Sequence, residues 1–131
     1  MEYSNKYEKK LREIIQREIR FYDNTFHAVL NLQSSQDKYR DLIELDTKKS
    51  LKKIVRVINE LEEFERGIAN LNYVHGKVSG LADFYLKVFG ENKFSENLND
   101  KVNEMSEFIE HATNTLVSQI GKDRRNLINL L

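Results

Sequence analysis

Apolar residues recur in steps of three and four along most of the chain. They fall first at Tyr3, Tyr7, Leu11, Ile15, Ile19, Tyr22, Phe26 and Val29, with Ile14 and Leu30 widening the stripe. That spacing keeps side chains on one face of an α-helix and predicts a first helix over about 3–33. The polar run QSSQDK, residues 33–38, interrupts it, and Asp37 has the side chain of an N-cap. Tyr39, Leu42, Ile43, Leu51, Ile54, Val55 and Ile58 then lead into a second series. Val57, Leu61, Phe64, Ile68, Leu71, His75, Val78, Ala82, Tyr85 and Phe89 alternate steps of four and three without exception, the spacing of a coiled-coil seam. Gly90 and the following ENKFS read as a stop, with Ser95 able to cap a last helix. Its stripe is Leu98, Val102, Met105, Ile109, Ala112, Leu116, Ile120, Leu127 and Leu130. This predicts helix over about 95–129, with fraying or a break expected near Gly121.

Charge decides where the middle helix begins. A start at Thr47 would set Lys48, Lys49, Lys52 and Lys53 against the positive end of the helix dipole, and a stop at Gly67 would set Glu60, Glu62, Glu63 and Glu65 against the negative end. A start at Asp37, with Asp41, Glu44 and Asp46 early and Lys87 late, removes both conflicts. The expectation is therefore one long helix over about 37–89, with a break near Gly67 or Gly76 as the alternative. The fold class that follows is all-α: one domain over 1–131, an antiparallel bundle of three long helices, or four if the middle one breaks, packed as in a coiled coil.

Composition narrows the chemistry. The 131 residues contain no cysteine and no proline, which removes disulfides, thiolate metal sites and cysteine nucleophiles, and leaves a β-rich fold short of turn residues. Forty per cent apolar and 32% charged residues with zero net charge suit a chain that folds. No window approaches a spanning apolar run and the start, MEYSNKYEKKLREIIQ, has no apolar core of a secretory signal, so a cytoplasmic location with no membrane partner is expected.

The stretch NYVHGKVSGLADFYLKVFG, residues 72–90, carries glycines inside its helical pattern. Gly76 and Gly80 lie off the seam, and Val74, Leu81, Phe84, Leu86 and Val88 make the segment nearly apolar all round. It is expected to be either the most buried helix of the bundle or half of a dimer interface. Ala69, Gly76 and Gly80 form a small-residue track on which another backbone could pack closely, within or between chains; a bend at glycine is the alternative. His75, on the seam, is expected to be a hydrogen-bonded core histidine that fixes register, with a pH-sensitive or ligand-contacting role as the other reading. Ala69, His75, Gly76, Gly80 and Phe84 are the candidate association residues. Lys48, Lys49, Lys52, Lys53 and Arg56 lie on one helix face with no acid between positions 47 and 59 and are the candidate electrostatic contact. Such a face suits an acidic protein partner, or nucleic acid.

Two constellations raise catalysis or metal binding. Arg20 and His27 are separated by six residues, an Arg-x6-His spacing that resembles the catalytic motif of the HEPN family of small all-helical ribonucleases. The resemblance implies RNA cleavage by a helical dimer, with the arginine and histidine converging on the scissile phosphate across the interface. It covers two residues, and the pair lies in the first helix where that family usually carries its motif late in the domain. Glu104, Glu107 and His111 share a helix face, but no histidine has a glutamate three residues before it, as bundle di-metal sites use; no metal or cofactor is expected. The functional expectation is a non-enzymatic module, an adaptor, inhibitor or assembly factor, that binds another protein or a second copy of itself, as a dimer, through helix docking. RNA binding or HEPN-like cleavage is the alternative.

Overall fold

The computed structural model describes residues 2–32 and 47–130, with side chains described for 5–32 and 51–129. The start expected for the middle helix, at Asp37, falls outside the described residues. Those residues are all-α: α1 (Glu2–Leu32), α2 (Thr47–Phe89), α3 (Lys93–His111) and α4 (Val117–Leu130), with a single widened turn, Ala112–Leu116, joining the last two into one rod. There is no strand among them.

The heptad pattern sets the core. Ile15, Tyr22 and Val29 of α1 meet Leu61, Phe64, Ile68, Leu71, Val78 and Tyr85 of α2, and Leu98, Met105, Ile109, Ile120 and Leu127 close the third side. Each fully buried side chain of this size contributes about 1.5–3 kcal/mol through apolar burial. Contacts between helices fix their relative sense. Tyr85 bonds to Glu8, Lys77 reaches Glu18 at 3.2 Å, and Val29 lies against Gly67, so positions rise along α1 as they fall along α2. Positions on α3 rise with α1: Arg12 stacks on Phe94, Lys101 reaches Asp23 at 2.8 Å, and the rings of Phe26 and Phe108 meet edge to face.

Helix α2 runs unbroken through Gly67, Gly76 and Gly80, so neither proposed break occurs. The last helix begins earlier than Ser95. Asn92 is its cap, its Oδ1 accepting from the Ser95 N–H at 2.9 Å while Ser95 Oγ accepts from the Asn92 N–H at 2.8 Å, a reciprocal capping box that uses Ser95 three residues inside the helix. Gly90 reverses the chain before it with φ 76°, and its N–H returns to the Leu86 carbonyl at 3.0 Å. The irregularity expected near Gly121 falls instead at 112–116. The core steps explain it: Ala112 to Ile120 is eight residues where a heptad has seven, and the wide turn takes up the extra one.

Segment 68–89 is not buried all round. Ile68, Leu71, Val74, Val78 and Tyr85 are inside, whereas Tyr73, Phe84, Leu86 and Val88 are exposed.

Candidate interaction face

The close approach anticipated at the small-residue track occurs at a different glycine. A Cβ on Gly67 would lie 2.6 Å from Val29 Cγ2, so the missing side chain lets α1 sit down on α2. Gly76 and Gly80 meet nothing within 4 Å, and with Ala69 and Phe84 they lie exposed on the outer side of α2. Among the described residues nothing packs against Gly76 or Gly80. His75 is half-buried, and its Nε2 is enclosed with no hydrogen-bond partner, so the register-fixing hydrogen bond is not made from that atom.

The other candidates stay apart. Lys52, Lys53 and Arg56 are exposed near the start of α2, and the side chains of Lys48 and Lys49 lie outside the described residues. Arg20 and His27 are both exposed and lie one heptad apart on α1, about 10 Å along the axis at 1.5 Å per residue. Arg20 shares a surface hollow with Lys10, Glu13, Ile14 and Arg17, and His27 lies edge-on to Phe26. Among the described residues no group of three or more His, Cys, Asp or Glu is placed to hold a metal ion, Glu104, Glu107 and His111 included, and no helix is long and apolar enough to cross a membrane.

No family model, curated protein or solved structure matches the chain. Function must be argued from its surfaces.

Two features escape the sequence pattern. The first is a row on α1, Tyr7, Ile14, Phe21 and Ala28, each immediately before a position on the inner side of the helix and each exposed. Phe21 and Ala28 line one wall of a groove of about 430 Å³ whose other wall is Arg66, Gly67 and Asn70 of α2. The seven-residue spacing of the row was the available signal.

The second is a polar clasp at the end of the bundle. Tyr85, fully buried, donates its hydroxyl proton to Glu8 Oε1 at 2.7 Å and accepts from Arg12 and from Asn92 Nδ2, both at 2.9 Å. Arg12 also bonds to Glu8 at 2.6 Å and lies over the Phe94 ring. The hydrogen bond from Tyr85, then that from Arg12, holds the Glu8 carboxyl below its ordinary value of 4.5. A lowered folded-state pKa means that the stabilisation is present above the unfolded value and is lost as pH falls through the folded one. Glu8→Gln is accordingly expected to be less stable than the native chain at pH 7, with the gap closing below about pH 4.5 in urea unfolding at several pH values. A gap that stays constant down to pH 3 would remove Glu8 from the clasp.

Proposed function

We propose that this chain is a non-enzymatic protein–protein interaction module, an antiparallel, coiled-coil-like three-helix bundle that docks a helix of another protein on the outer side of α2. The observation that carries the reading is the combination on that side of Gly76 and Gly80, open to solvent, with Tyr73 at 68% and Phe84 at 55% exposure. Glycine in an exposed helix interior costs about 1 kcal/mol against alanine, and among the described residues no contact is gained in return. Half-exposed aromatic side chains beside a smooth backbone have the make-up of docking hot spots, which favour aromatics in places a partner can desolvate. An adaptor, an inhibitor or an assembly factor would use such a surface in the same way. The exposed Lys52, Lys53 and Arg56 then steer an acidic partner during approach.

The test is photo-crosslinking in the source cell with p-benzoylphenylalanine at position 84 and, as a control, at position 107 on α3. Adducts at 84 that protease destroys and ribonuclease leaves intact, with none at 107, are the expected result. No adduct at 84, equal labelling at both positions, or an adduct that ribonuclease removes would overturn the reading, the last in favour of RNA.

A further inference from the structure

We infer that the side of the bundle formed jointly by α1 and α2 is a seat for a fourth helix, supplied by a partner whose apolar stripe is flanked by acidic residues. This rests on the docking reading above and adds the place and the chemistry of the occupant.

Two rows of exposed apolar side chains border the seat. On α1 the row is Tyr7, Ile14, Phe21 and Ala28, in steps of seven. On α2 the facing edge is located by Lys77, whose Nζ reaches Glu18 across the helix pair at 3.2 Å and lies 4.9 Å from the centre of the Tyr73 ring one turn earlier. Phe84 comes seven residues after Lys77 on the same edge, with Val88 one turn further, and both are exposed. Between the rows runs the groove floored by Gly67. A helix laid along the groove between these two oppositely running helices can set its apolar knobs between the heptad row of α1 and Tyr73, Phe84 and Val88 of α2. The area is of the right order. Four rings of about 200 Å², exposed by half to two-thirds, offer roughly 450 Å². A standard interface takes about 800 Å² per partner, a little over half of it apolar.

Charge selects the occupant. Lys10 and Arg17 lie one turn before Ile14 and Phe21, Arg66 lines the groove and Lys87 lies one turn after Phe84; all four are exposed. Glu13 and Glu63 are acids beside them, and a third, Glu18, is paired with Lys77 at 3.2 Å. The opposite side of the molecule has the reverse character: Glu96, Asp100, Glu104, Glu107 and Glu110 are exposed along α3, which exposes no large apolar side chain. A second copy seated by a two-fold axis would set basic rows against each other, and the acidic α3 has no apolar stripe to fill the groove. A foreign helix with acidic flanks satisfies both demands.

The probe is a synthetic four-heptad helix with Leu at a and d and Glu at e and g, whose like charges keep it from pairing with itself, and a twin with Lys at e and g. Fluorescence anisotropy against the full chain is expected to show the Glu peptide binding about tenfold or more tighter than the Lys peptide, with the difference shrinking as salt rises. Phe21→Ser and Tyr73→Ser are each expected to weaken it about tenfold, and Glu107→Lys to leave it unchanged. Equal affinity for the two peptides, no binding of either, or native affinity in Phe21→Ser would overturn the inference. So would a native dimer in sedimentation that Phe21→Ser dissociates, since the occupant would then be a second copy. These results leave the docking reading standing if the position-84 adduct forms, whereas its absence removes that reading itself.

Discussion

Tyr85→Ala is expected to lower the unfolding free energy by about 4 kcal/mol, and Tyr85→Phe by about 1–2 kcal/mol, in denaturant unfolding followed by circular dichroism. The ring is fully buried between Phe89 and Phe94, with centroids 5.2 and 5.0 Å away, so truncation removes a large apolar body from a close-packed site. The hydroxyl is a separate matter. A phenol has one proton to give and two acceptor positions, and here all are used, by Glu8, Arg12 and Asn92. Phenylalanine keeps the packing and leaves those three groups short of a partner. Glu8 and Arg12 retain 22% and 39% side-chain exposure, so water can partly replace the lost contacts, which keeps the expected loss well below that of truncation. A Tyr85→Phe chain as stable as the native one would mean that the clasp contributes nothing beyond burial.

Gly67→Ala is expected to lose about 1–2 kcal/mol, whereas Gly76→Ala and Gly80→Ala are each expected to gain about 0.5–1 kcal/mol. On helix propensity alone all three would gain. The difference lies in what the new methyl meets. At Gly67 it lies 2.6 Å from Val29 Cγ2, and Val29, fully buried and β-branched, has essentially one rotamer in a helix and cannot turn away. The overlap can be relieved only by separating α1 from α2 around Gly67 and Val29. At Gly76 and Gly80 the methyl enters solvent. A double-mutant cycle with Val29→Ala should show strong coupling at Gly67 and none at Gly80. A stabilised Gly67→Ala would contradict the close approach.

The helices were legible because a heptad repeat leaves little choice. Seam positions such as Leu61, Phe64, Ile68, Leu71, Val78 and Tyr85 read as core and are core. What escaped are features that depend on the neighbour opposite. Gly67, Gly76 and Gly80 are equivalent in one dimension, and only the position of Val29 makes the first a contact and the others open surface. Tyr85 reads as one more apolar seam residue, since nothing in its spacing says that Glu8, 77 positions away, receives its proton. The wide turn at 112–116 is written in the eight-residue step from Ala112 to Ile120, whereas Gly121, a residue of low helix propensity, is accommodated within α4. Phe84, Leu86 and Val88 left two readings open, a buried core or an interface, because one chain's pattern does not separate them; the structure exposes all three.

The claim that this surface serves association rather than folding is tested most directly by the unfolding free energy of the triple variant Phe21→Ser, Tyr73→Ser and Phe84→Ser. Since each ring is more than half exposed, the account predicts a value within about 1 kcal/mol of the native chain. A loss of about 4 kcal/mol or more would show that the three rings hold the bundle together, and would contradict it.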